Sequence, residues 1–207
     1  MDIAPEALAI ASIRRATAHR HTALEAVLQL SPSLSYRRYL DALRGFELFL
    51  SLWEPRIDAA LPSGLRGWFA SRSRRDLLQR DLDRLDTGRV MADDVKRGCE
   101  QAVSNIELSS VAATFGSLYV LEGSALGGQV IAKIARATLG LGPDNGAAYF
   151  NGIDRHTAAS WTAFQGVLED QVGIEPAERR RACEAARQTF DALITTFTSL
   201  YRDHSTA

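Results

Sequence analysis

The sequence is poor in the residues that mark several common function classes. It has only two cysteines, Cys99 and Cys183, far apart and in no CxxC pair, so it offers neither a disulfide framework nor zinc-ribbon spacing. A reducing compartment is the simplest setting for such a chain. Charge of one sign does not prevail. With 24 basic and 25 acidic residues the formal net charge is -1, which gives no field for generic binding to nucleic acid. Charges interrupt every apolar run before it reaches the length of a membrane span. The first residues, Met1-Asp2-Ile3-Ala4-Pro5-Glu6, lack the basic region of a secretory signal. No stretch alternates with period two between turn signals, so strands are not expected. Paired Glu-x-x-His motifs, which a ferritin-like di-iron site needs, are absent. These absences predict a cytoplasmic protein with no membrane and no nucleic-acid partner.

What is present is helical periodicity. The 207 residues are 46% hydrophobic, enough for one domain with a sizeable core. We expect that domain to span 1–207, with flexible tails at 1–5 and 203–207. Apolar residues recur at three- and four-residue steps from Ala7 to Leu28. Ser35 can cap a second helix that stops near Pro55. Pro62-Ser63-Gly64 reads as a loop, Arg72 to Leu85 as an exposed helix, and Thr87-Gly88 as a turn. Asp93 or Asp94 opens another short helix. Leu108 to Leu139, Thr157 to Gln171 and Pro176 to Tyr201 complete an all-α chain of roughly seven to nine helices. The runs Arg72-Ser73-Arg74-Arg75 and Arg179-Arg180-Arg181 read as solvated helix faces.

Two constellations carry chemistry. Of four histidines, His204 lies in a polar tail, His156 stands alone, and His19 and His21 point about 200° apart on a helix. His21 shares its face with Thr17, Leu24 and Leu28, and so points to the apolar side, where a neutral imidazole can ligate a metal. Glu25, one turn on, can accept its other ring N–H and raise its basicity. Arg14 lies two turns before it, about 10 Å away along the axis. That set suits a flat ligand with a metal centre and anionic edge groups. A hydrogen-bonded core histidine is the other reading of the same spacing.

The second constellation is Leu118 to Ile131, which is helical in pattern yet holds Gly123, Gly127 and Gly128. Each glycine costs about 1 kcal/mol against alanine in a helix interior, so bare backbone must be required there. Gly123 and Gly127 are four apart and face one way. They allow a flat object to approach the backbone, or alternatively a close helix crossing.

Together, Ile13 to Glu25 (IRRATAHRHTALE) and Leu118 to Ala135 (LYVLEGSALGGQVIAKIA) resemble the haem oxygenases. The first is similar to the family's proximal helix, and the second to its distal helix with the GGQV core. Weaker likeness continues at Tyr149-Phe150-Asn151-Gly152, Trp161, Phe164, Thr189-Phe190 and Phe197. Ile153-Asp154 departs from the family's frequent Tyr-Gly pair. The resemblance implies a haem-oxygenase-like helical bundle that opens haem to biliverdin with release of carbon monoxide and iron, using O2. It implies an electron donor (ferredoxin, flavoprotein reductase or small reductant) and allows a biliverdin acceptor such as a phytochrome. By resemblance His21 is the axial iron ligand and Glu25 its support. Arg14, Thr17 and Tyr119 lie along the haem. Gly123, Gly127 and Gly128 form the distal wall, and Ser124 replaces the distal aspartate of animal members. A non-catalytic haem- or bilin-binding protein on the same scaffold is the alternative.

Overall fold

The computed structural model describes residues 8–85, 88, 91–152 and 157–203. Among them the helices are α1 (Ala9–Leu28), α2 (Tyr36–Ala60), α3 (Ser63–Ala70), α4 (Arg75–Leu85), α5 (Asp93–Ser104), α6 (Val111–Leu139), α7 (Ala148–Asn151), α8 (Thr157–Val172) and α9 (Pro176–Asp203). No strand occurs among the described residues, as the missing period-two pattern implied. Thr87, His156, His204, the Ile153-Asp154 pair and the N-terminal tail lie outside them. The C-terminal boundary differs slightly from expectation, because α9 runs on through Asp203.

Other element boundaries also differ from the sequence reading; α6, for one, begins at Val111 and not Leu108, with Ser110 as its cap. Helix α2 does not stop at Pro55 but passes through it to Ala60. Proline removes one ladder bond, at about 3 kcal/mol or more. Pro55 faces solvent, while Trp53, Ile57 and Leu61 around it are almost fully buried, so packing on the inner face carries the helix onward. The Pro62-Ser63-Gly64 loop is instead the start of α3, with Pro62 at the N-cap, where its missing N–H removes no ladder bond. Helix α4 begins at Arg75, three residues late, because Ser73 and Arg74 are drawn inward before it.

The helix that carries His21 is tied down at both ends by other helices. Its N-cap, Leu8, supplies no side-chain cap. Glu169 of α8 does so instead, accepting from the Ala9 and Ile10 amides at 2.8 Å each. A carboxylate there satisfies two orphan donors and complements the helix dipole. At the other end Arg38 of α2 donates to the carbonyls of Leu28 and Val27 (3.1 and 2.9 Å). Its guanidinium lies over the Tyr201 ring, 3.4 Å from the centroid.

Helix α6 runs through the middle of the molecule and packs most extensively on α9. The crossing is close because Gly116 has no side chain. A Cβ there would stand 2.0 Å from the Ala182 carbonyl oxygen. Beside it a buried polar string links three helices: Trp53 Nε1 donates to Ser117 (2.8 Å), and Ser117 pairs with Thr189 (2.7 Å). Gly116→Ala should therefore force α6 from α9 and destabilise the fold by about 1–3 kcal/mol, despite alanine's better helix propensity. Urea unfolding reads this, and an equal or higher midpoint would contradict the close crossing.

Candidate functional site

A cavity of about 510 Å³ opens between α1 and α6, with α2, α7, α8 and α9 completing its walls. That volume lies in the range of small-molecule and cofactor sites. Helix α1 contributes Arg14, His21 and Glu25, and α6 contributes Tyr119, Gly123, Ser124, Gly127 and Gly128. The two segments that carry the family resemblance thus face one space and touch where Tyr119 meets Arg14 and Thr17.

His21 stands on the cavity wall with its side chain 62% exposed. Its ring meets Phe190 edge-on, centroids 6.0 Å apart. Its Nδ1 lies 3.6 Å from Glu25 Oε2. This is beyond a formed hydrogen bond and, on so exposed a surface, adds little to stability. Nε2 lies on the other side of the ring from Glu25. Among the described residues no three His, Cys, Asp or Glu side chains gather to cage a metal. A single imidazole suits a metal that brings its other ligands with it.

Arg14 and Tyr119 meet at the rim. Burial pushes the Tyr119 phenol above its ordinary range, and hydrogen bonding with Arg14 and Thr17 pulls against that shift. Thr17 is not on the cavity wall, although it shares the His21 face in sequence. It is 3% exposed and donates to the Ile13 carbonyl (2.8 Å), so it sits behind Tyr119. A 100° step per residue places it one turn away from His21 but rotated toward α6 and the core.

The three glycines divide by environment. A Cβ on Gly127 would meet nothing within 4 Å, so that position opens on the cavity. At Gly123 it would touch the Trp161 ring at 3.6 Å, and at Gly128 it would press the Phe150 carbonyl oxygen at 3.3 Å. Gly128 therefore serves a close approach of α7, and Gly127 leaves room for a ligand. The Ser124 hydroxyl donates back to the Leu121 carbonyl at 2.7 Å.

Sequence reasoning missed Arg74, and marked the α7 wall only as a weak likeness at Tyr149-Phe150-Asn151-Gly152. The Arg72–Arg75 run is not a solvated helix face. Arg72 makes a bidentate pair with Glu122 (2.8 and 2.7 Å) and reaches Ser160 on α8. Arg74 lines the cavity, donates to the Leu121 carbonyl (3.2 Å) and lies over the Tyr149 ring. The run's one sequence signal is indirect and concerns Arg72: Glu122 on a buried helix needs a cation from elsewhere. In the second run Arg180 and Arg181 are exposed as expected, whereas Arg179 is half-buried and donates to the Gly173 carbonyl (3.1 Å). The short α7 presents Tyr149 and Phe150 to the cavity. Asp81, 1% exposed, holds it by accepting from the Ala148 and Tyr149 amides (2.9 and 2.8 Å). Burial raises the Asp81 carboxyl above its ordinary range, and those two amides oppose the rise.

The chain matches the family described as Heme oxygenase over residues 7–199. It is 36% identical over 136 residues to a curated "Heme oxygenase" of Xanthomonas campestris pv. campestris, covering 66% of this chain and 70% of that protein. In fold it is similar to the crystal structure of heme oxygenase 2 from Chlamydomonas reinhardtii without heme. That likeness has a TM-score of 0.76 and 17% identity, and covers 93% of this chain and 97% of the other. It is also similar to heme oxygenase-1 from the cyanobacterium Synechocystis in complex with heme (TM-score 0.73, 19% identity, 96% of both chains).

Asp81→Ala leaves two buried amides without an acceptor, at about 1–3 kcal/mol each. The α7 wall should loosen, and hydrogen exchange at Ala148 and Tyr149 should rise well before global unfolding. Unchanged exchange there would mean that packing alone holds α7.

Proposed function

The chain belongs to the haem oxygenase family, and on that premise we propose that haem is taken up in the cavity between α1 and α6, where His21 would hold its iron. The enzyme degrades haem, opening it to biliverdin with release of carbon monoxide and iron. The observation that carries the site assignment is the pairing of His21 on one wall with the side-chain-free Gly127 on the other, within one cavity. When bound, haem supplies the centre at which dioxygen is reduced and is itself the molecule oxidised.

The chain's own residues do the rest. Glu25 orients the imidazole through Nδ1. Arg14, with Tyr119 beside it, offers a cation and a hydroxyl to anionic edge groups and so fixes the ligand's rotation in its plane. Gly123 and Gly127 place no acid or base side chain over the opposite face. Ser124 is the hydroxyl within reach of that face. Phe46 and Phe150 form an apolar floor. Thr17 acts through Tyr119 and Gly128 through α7. Electrons come from a ferredoxin, a flavoprotein reductase or a small reductant, and biliverdin passes to an acceptor such as a phytochrome or is discarded. No described helix is long and apolar enough to cross a membrane. The two free cysteines, Cys99 and Cys183, favour the cytoplasm.

Haemin reconstitution followed by oxygen and reductant tests this reading. The Soret band should decay into a bilin spectrum, whereas a stable haem complex would indicate a binding protein instead. His21→Ala should weaken the axial bond and lower turnover. A normal ferric spectrum with undiminished activity would remove His21 from its role. Gly127→Leu should leave the fold intact or up to about 1 kcal/mol more stable, since leucine is the better helix former and its Cβ meets open space. It should nonetheless block haem binding. Full haem affinity in that variant would place the ligand elsewhere.

A further inference from the structure

Behind the floor of the main cavity lies a second, smaller one of about 30 Å³, above the roughly 10–15 Å³ that one water requires. Glu54 of α2, Ser73 and Arg74 line it, together with Tyr149 of α7. Arg74, Leu121 and Tyr149 also line the main cavity, so the two spaces share one wall. Glu54 is partly open to solvent, and its two carboxyl oxygens lie 3.0 and 3.1 Å from the Ser73 hydroxyl. The charges around it are known from each side. Arg74 and Arg75 favour its ionised form and Asp76 opposes it, while burial raises the carboxyl above its ordinary range. Arg72 and Glu122, on another wall of the small cavity, satisfy each other. Tyr149 feels both Arg74 and Glu54. Beyond the shared wall Arg74 and the Ser124 hydroxyl converge on one acceptor, the Leu121 carbonyl.

We propose that Glu54 delivers protons from solvent to the main cavity, with Tyr149 as the intervening hydroxyl. This rests on the haem oxygenase reading, because reducing dioxygen consumes protons and the main cavity is walled largely by apolar side chains. One proton passes from bulk water to the Glu54 carboxylate, and the resulting carboxyl group gives it to a water in the small cavity. That water protonates the Tyr149 oxygen as the phenol releases its own proton into the main cavity. Each group ends as it began and one proton has moved inward, with no oxidant or reductant involved. Arg74 is fixed by the Leu121 carbonyl and holds the electrostatics of the shared wall without itself transferring a proton.

The test uses the full chain with Glu54→Gln, Tyr149→Phe and the double variant. In haem-free protein, infrared spectra taken across a pH titration should show a protonated-carboxyl band persisting above the ordinary glutamate range. The band should disappear in Glu54→Gln and shift in Tyr149→Phe. In haem-loaded protein, Glu54→Gln should bind haem as tightly as the unaltered chain, yet open it about 100-fold more slowly, the scale of a lost proton-transfer group. The double variant should be no slower than the slower single one, as for residues acting as a unit. If Glu54→Gln reduces the yield of folded protein, Ser73→Ala, which removes the carboxyl's hydrogen bond, should shift the same band and slow the same step. An absent band, or an unchanged rate with haem affinity intact, overturns the relay and leaves haem opening by the unaltered chain in place. If the unaltered chain binds haem and never opens it, the functional reading itself fails, and the relay with it.

Discussion

The structure turns on what α6 must do on its different sides at once. It is the central helix of the core, with Phe115 and Leu118 almost fully buried, and it is also a wall of the cavity, where side chains would obstruct a ligand. Glycine reconciles the two, for different reasons along the same helix. At Gly116 the backbone of α9 passes too close for a Cβ, and at Gly128 the same holds more mildly for α7. At Gly127 nothing is close, and the missing side chain is space. Each of these glycines weakens the helix by about 1 kcal/mol. At Gly116 and Gly128 closer packing offsets the loss. At Gly127 no contact in the fold does so, which is the pattern expected where stability is given up for function.

Because α6 is weakened there, its neighbours have to hold it in place. Arg72 grips Glu122 with a two-pronged ion pair, side chains 13% and 17% exposed, immediately before Gly123. A pair this sheltered adds little net stability after desolvation, yet breaking it is costly. Its geometric effect is to pin the distal wall to the α3–α4 connection and to α8. The facing helix is held in the same way, by Glu169 at one end and Arg38 at the other. Both walls are thus positioned by charged groups from outside themselves, so the cavity width is set by long-range contacts more than by either helix alone.

That division also explains what was legible in the sequence. The long helices follow a local period, and His21, Glu25, Arg14 and the glycines are local patterns, so their placement on facing walls could be read from spacing and resemblance. The contribution of Arg74 could not be, since a run of arginines has the same spacing on a solvated face as at a helix start folded inward. Asp81 and Glu54 were equally hidden, because a carboxylate at an inward position is meaningful only once its partners, 67 and 19 residues away, are known. Thr17 shows the converse. It shares the His21 stripe, but four residues make slightly more than a full turn, and the rotation of about 40° left over from 3.6 residues per turn is enough to bury it. Pro55 marked a stop by local rule, and tertiary packing overrode it.

The cavity also has a direction along its length. Arg14 and Tyr119 meet near one end. Leu28 of α1 lies 14 residues beyond Arg14, and Ile131 of α6 lies 12 beyond Tyr119, about 20 Å further along each axis at 1.5 Å per residue. All four line the same space, so α1 and α6 run side by side from a polar end to an apolar one. Val130, 58% exposed and otherwise an unexplained apolar group on the surface, belongs to that apolar end with Leu30. A planar ligand with anions on one edge and hydrocarbon on the other gains at both ends in one orientation and loses at both when reversed. Pairing charge with Arg14 and burying hydrocarbon at about 25 cal/mol per Å² therefore act in the same sense. For such a ligand, orientation in the plane follows from the gradient of the whole slot as well as from any one charged group on its wall.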